Sequence, residues 1–158
     1  MILTTHALTG AVIGKTINIP WLIILLSLAI HYLMDGIRHA EYFDDRTANV
    51  KNTWWKVALD FAAGVVLIFF YLYFSDSDIN ITKNILLGAF FSMFPDLLTV
   101  IHWRFKKIPV LPQIKKFHSL AHRYDRFPKY SPERQWNLRN SANDIILSLI
   151  AILFLFIL

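Results

Sequence analysis

Five apolar stretches, separated by polar turns, leave few architectures open to this chain. Thr5–Ile19 carries Gly10 and Gly14, and Pro20 to about Ile37 contains His31 and Asp35. Trp54–Phe74 is broken only by Lys56 and Asp60, Ile85 to about Trp103 is interrupted at Pro95-Asp96, and the stretch from Asp144 runs apolar to Leu158. A helix needs about 20 apolar residues to cross the hydrocarbon of a bilayer. In lipid every backbone polar group must also find its partner inside the protein. The second, third and fourth stretches meet the length. The last does so if it starts near Asn137, and the first is short enough to be tilted, thin-spanning or partly re-entrant. The expected fold is all-α: a polytopic membrane helical bundle of about five membrane helices plus an interfacial amphipathic helix. It forms one integral membrane domain over residues 1–158, with an interfacial segment at about 105–136. Within that segment Ile114, Phe117, Leu120 and Ala121 recur at helical spacing, so 113–126 reads as an amphipathic helix on the membrane surface.

Composition agrees. Hydrophobic residues make up 56% and charged residues 17% of the chain, against about 45–50% and about 25% in a soluble domain. A disordered chain and an ordinary cytosolic enzyme are both disfavoured. The absence of cysteine removes disulfides, thiolate metal sites and a thiol nucleophile. The start of the chain lacks a basic segment and a small-residue cleavage site, so no removable signal peptide is expected.

The net charge of +5 is explained by orientation. Fourteen of the sixteen Lys and Arg fall in 38–56 and 104–139, which the positive-inside rule places in the cytoplasm. The N-terminus is then inside and the C-terminus outside, in a bacterial inner membrane. Trp54, Trp55, Trp103 and Trp136 mark the inner interface, and Trp21, Tyr71 and Tyr73 the outer one. Anionic lipid headgroups are the expected partner of the basic rim, and no nucleic acid is expected.

Ionisable residues inside spans are costly and are functional candidates by default. His6, His31, Asp35, Asp60, Asp96 and Asp144 all fall, on this topology, in one layer about 5–10 Å below the cytoplasmic interface at 1.5 Å rise per residue. His31-x3-Asp35 and His118-x3-His122 each place two side chains on one helix face. Imidazole and carboxylate together suit zinc, manganese or iron. The expected metal ligands are His6, His31, Asp35, Asp60, Asp96, His118 and His122, holding one or two divalent ions, zinc first. Asp60 and Asp96 are also the candidates for general-base work, and Lys115, Lys116, Arg123 and Arg126 for holding a phosphate or lipid headgroup. Other roles stay open at each position: an interhelical hydrogen-bonded pair for His31 and Asp35, interfacial histidines for His118 and His122, a Lys56 partner for Asp60, a kink position for Asp96. Asp144 reads as a cap or as a partner of Arg139 or Asn140, His39 as lying near water on the face of Asp35, and His102 as interfacial. Gly10-x3-Gly14 reads as a helix-packing face.

The ordered set Thr5-His6-x3-Gly10, His31-x3-Asp35, Phe94-Pro95-Asp96 and Phe117-His118-x3-His122 resembles the membrane-bound metal-dependent hydrolase family typified by YdjM-like inner-membrane proteins. The resemblance spans roughly residues 4–122 and implies a small multi-span helical protein with a metal site. The set is also distantly similar to zinc-dependent phospholipase C and the related single-strand nucleases. It departs from them in having Met1 where the phospholipases have a zinc-ligating Trp, and H-x3-H where they have His followed by an acid. The expected function is a membrane-embedded metal-dependent hydrolase acting on a phospholipid or other amphiphilic phosphoester at the inner leaflet. A metal-binding or metal- and proton-transporting membrane protein, and a structural scaffold, are the alternatives.

Overall fold

The structure is a computed structural model. It describes residues 1–43, 46–47, 50–105 and 108–158, apart from the side chains of Val50, Trp103 and Arg104. The described residues form six α-helices and no strand: α1 (Leu3–Thr16), α2 (Pro20–Asp35), α3 (Val50–Phe74), α4 (Ile79–Arg104), α5 (Leu111–Ala121) and α6 (Leu138–Ile157), with a short 3-10 turn at Pro132–Arg134 before α6.

Local chemistry sets most boundaries. Pro20 opens α2 at a position where its missing N–H is not needed. Asp78 starts α4 by accepting the amides of Asn80 and Ile81 at 2.7 and 2.9 Å. This carries α4 six residues ahead of the apolar run at Ile85. Asn137 caps α6 through the amide of Asn140 at 3.0 Å. α3 begins at Val50, four residues ahead of the apolar run at Trp54, and holds Asn52 and Thr53 in its first turns.

Three helices, α3, α4 and α6, are long and apolar enough to cross a membrane. This corrects the expectation of about five. α2 is apolar but only 16 residues long. α1 has 14 residues, about 21 Å at 1.5 Å per residue, and is not a peripheral span at all. It is the hub of the bundle, packed by α4, α6, α3 and α2, with Thr5, His6, Leu8 and Ala11 buried. A helix enclosed on all sides needs no lipid-spanning length, because its backbone and side chains are covered by protein.

Closest approach is between α1 and α4. A Cβ on Gly10 would lie 2.2 Å from the Gly88 carbonyl oxygen, and one on Gly14 2.0 Å from that of Asn84. The two backbones therefore touch where side chains are absent, as small-residue stripes permit in membrane bundles. Leu8, Ile68, Ile85 and Leu155 pack around this crossing as an apolar core. Outward, Val66, Tyr73, Leu149 and Leu153 are more than half exposed. A bundle apolar on its outer face and polar at one end of its interior matches a lipid-facing protein.

Candidate metal centre

The site is assembled at one end of the bundle from the start of α1, the end of α2, the last third of α4 and the end of α5. Asp35 is its centre and is 1% exposed. Its Oδ2 lies 3.0 Å from His31 Nε2, 3.0 Å from His118 Nε2 and 3.4 Å from His122 Nε2. Its Oδ1 lies 3.2 Å from His6 Nε2 and 2.5 Å from the Met1 amino nitrogen. His118 Nε2 is also 3.5 Å from Asp96 Oδ1. The helical i, i+4 spacing that pairs His31 with Asp35 and His118 with His122 brings all four side chains to one point.

The outer ring atoms fix which nitrogens carry protons. His31 Nδ1 donates to the Ser92 carbonyl at 2.7 Å. That carbonyl lies three residues before Pro95, which sits inside α4. Thr99 donates its hydroxyl proton to the Pro95 carbonyl at 3.2 Å, so its oxygen accepts from His118 Nδ1 at 2.8 Å. With Nδ1 the donor in both rings, the neutral form of each presents an Nε2 lone pair, and the two Nε2 atoms face each other at 3.4 Å beside a carboxylate. His122 Nε2 stands 3.1 Å from His118 Nε2. The Met1 amino group donates to Oδ1, which leaves Oδ2 and the ring nitrogens facing it as acceptors that a cation would complete, and ring N–H groups anchored to outer partners are typical of metal-bound histidine.

Among the described residues, two groups have ligand atoms within 4.8 Å of one another: His31, Asp35, Asp96 and His118, and Asp35, His39 and His122. They share Asp35, so these buried residues could hold one divalent ion or two adjacent ones. His39, left out of the ligand set from sequence, enters here. Its Nδ1 donates to the Ile37 carbonyl at 2.7 Å, and its Nε2 is buried with no hydrogen-bond partner. Burial holds the His39 imidazole well below its ordinary range, and does the same for His122. Both therefore stay neutral, the form that binds metal.

The remaining expected ligands divide. His6 touches Asp35 and stacks on His31 at 4.1 Å between centroids, but belongs to neither ligand group. Asp60 stands elsewhere. Its Oδ2 accepts the Thr4 amide at 3.2 Å and the Tyr42 hydroxyl proton. Asp144 accepts the Ile2 amide at 3.0 Å and the Ala40 amide at 3.4 Å, and Tyr42 Oη accepts the Leu3 amide at 2.9 Å. The unpaired amides at the head of α1 are thus capped by residues of other elements. Carboxylates favour that end of a helix dipole. The structure brings together Asp35 and Asp96 as site acids and uses Asp60 and Asp144 as caps.

Sequence inspection singled out neither Arg134 nor Glu41. Arg134 is 2% exposed, donates to the Phe127 carbonyl at 2.6 Å and to the His122 carbonyl, and pairs with Glu41. Glu41 Oε1 lies 3.6 Å from His122 Nδ1. This buried ion pair clamps the loop after α2 to the segment after α5, and so fixes His39 and His122 relative to each other. No periodicity marks such a pair, since both partners lie outside regular helices.

The cluster opens into a cavity of about 810 Å³ between α3 and α4, lined mostly by apolar side chains. Asp96, His118, His122 and Lys115 line its polar end, as does Lys129, which the sequence reading did not select. Of the expected headgroup residues only Lys115 reaches the cavity; Lys116, Arg123 and Arg126 are exposed and do not line it. No family model matches the chain, and no curated protein or solved structure matches it significantly.

Proposed function

We propose that the chain is a membrane-embedded hydrolase that uses a divalent metal to cleave a phosphoester of an amphiphilic, lipid-like substrate. The observation that carries the reading is the buried cluster of imidazoles and carboxylates around Asp35, with the Nε2 atoms of His31 and His118 facing each other, at the mouth of a large apolar cavity. His31, Asp35, Asp96 and His118 would hold one ion, and Asp35, His39 and His122 a second. The donor set is nitrogen and oxygen only, which suits zinc, manganese or iron. When bound, such an ion supplies Lewis acidity and lowers the pKa of water towards neutrality.

The chain's own residues do the rest. Asp96 is 28% exposed and lines the cavity, so its carboxylate is placed to accept the proton of an attacking water. Lys115 and Lys129 sit where a phosphate entering from the cavity meets positive charge. Ser92 and Thr99 hold the rings of His31 and His118. The Arg134–Glu41 pair holds His122. On the positive-inside rule this end of the bundle faces the cytoplasm, which puts the substrate in the inner leaflet, and the protein fits the YdjM-like membrane hydrolases. A transport path is less well supported. The described side chains packed around the α1–α4 crossing towards the other end, Leu8, Ile68, Ile85 and Leu155, are apolar and buried.

Elemental analysis of protein purified without chelator tests the reading, with wild type beside His31→Ala and His118→Ala. Stoichiometric metal in wild type and its loss in both variants is expected, together with chelator-sensitive hydrolysis of a water-soluble aryl phosphodiester. A metal-free wild type would refute it.

A further inference from the structure

We propose that the slot between α3 and α4 binds one linear acyl chain of the substrate, admitted sideways from the bilayer, with its phosphoester at Asp96 and His118. This rests on the hydrolase reading and names the substrate class of the same site.

The slot exists because both helices dock on α1 but make no extended contact with each other among the described residues. Ala7 and Ala89 form part of its floor and are 2% and 4% exposed. Side chains this small leave the space above them unfilled. Val65 on α3 and Met93 on α4 face the slot from opposite walls. Phe61, Phe90 and Leu97 line it yet are 48%, 47% and 43% exposed, so its long side is open. On α3 and α4, both long enough to cross a membrane, that open side faces lipid, not water.

Polarity is confined to one end, where Asp96, His118, His122 and Lys115 gather. A ligand complementary to this cavity has one charged head and one apolar tail. The length of the tail follows from α4. From Asp96 to Leu86 is ten residues, about 15 Å at 1.5 Å per residue. That is one leaflet, half of the roughly 30 Å hydrocarbon layer. A lipid tail gains little hydrophobic energy on leaving a bilayer that is as apolar as the groove. Discrimination therefore comes from fit, and the slot measures the tail by length and width.

The test is equilibrium binding of butyl, dodecyl and hexadecyl phosphate to the full chain in lipid nanodiscs, with hydrolysis of a water-soluble aryl phosphodiester measured in parallel. Wild type is expected to bind hexadecyl phosphate at least about tenfold more tightly than butyl phosphate. Val65→Trp and Met93→Trp, which fill the slot from opposite walls, are expected to erase that difference. Val66→Trp, on the neighbouring lipid-facing position of α3 and outside the slot, is expected to keep it. Two slot variants guard against misfolding of either one. Length-independent binding in wild type overturns the proposal, as does retention of the length preference in both slot variants. If the soluble ester is cleaved while binding ignores length, the acyl groove falls and the hydrolase reading stands. If length-dependent binding is seen without any hydrolysis, the groove stands and the hydrolase reading falls.

Discussion

At the scale of single residues, the acids that look alike in sequence do different work. Asp96 faces the cavity and His118, whereas Asp60 caps α1 and holds Tyr42. Asp96→Ala is expected to lose metal and hydrolysis with a small change in thermal unfolding. Asp60→Ala should keep its metal and lose about 1–3 kcal/mol of stability, because the Thr4 amide and Tyr42 hydroxyl lose a buried partner. Metal content and unfolding measured side by side separate the two. His39 adds a pH effect. Its folded pKa lies below the ordinary 6.5 because of burial. As pH falls through about 6.5 the unfolded chain takes up the proton and the folded protein does not, so stability is present above that pH and is lost below it. Metal-stripped protein is expected to show a falling unfolding midpoint below about pH 6.5. His39→Gln should flatten the fall without abolishing it, since His122 is shifted in the same direction. That acids and histidines sort to one end of the bundle was legible in the sequence, because each is costly in lipid and had to have a reason. Which acids ligate and which cap was not legible, since a metal and a helix N-terminus both draw carboxylates to the same level. His39 was legible as a neighbour of Asp35 but was placed near water, because the loop packing that buries it leaves no mark in the sequence.

At the scale of helices, the α1–α4 crossing sets the tolerance of the fold. A Cβ on Gly88 would stand 2.0 Å from the Gly10 carbonyl oxygen, which is backbone and cannot swing away. Gly10→Ala and Gly88→Ala are each expected to cost about 1–3 kcal/mol through overpacking, seen as a lowered unfolding midpoint. Half of this crossing was legible as Gly10-x3-Gly14. Its other face, Gly88-x3-Ser92 on α4, carries the same small-residue spacing with a serine in place of the second glycine, and a single glycine does not draw the eye as a pair does. The buried Arg134–Glu41 pair joins two segments that no helix connects. Arg134→Met leaves Glu41 buried without its partner and is expected to cost about 3–5 kcal/mol. If the pair also positions His122, metal affinity falls in this variant while His31 and His118 remain intact, which a metal-competition titration measures.

At the scale of the molecule, the apolar runs announced a helical membrane protein but overcounted its spans. Length and hydropathy describe a segment alone. They do not say whether protein or lipid surrounds it, and α1 is apolar because four other helices cover it. The cavity was likewise beyond reach of the sequence, since it is made by two helices failing to meet.

The caps at the head of α1 bear on the order of assembly. Ile2 is held by Asp144 and Thr5 by Ser148, 142 and 143 residues further along the chain. Contacts of such sequence separation form late, because a long loop must close before they contribute. The start of α1 carries His6 and the Met1 contact to Asp35, so the seat around Asp35 is not finished until α6 has been made and inserted. A metal bound there would then load onto the completed protein, and a chain lacking α6 would carry the same histidines without the contacts that seat the start of α1 beside Asp35.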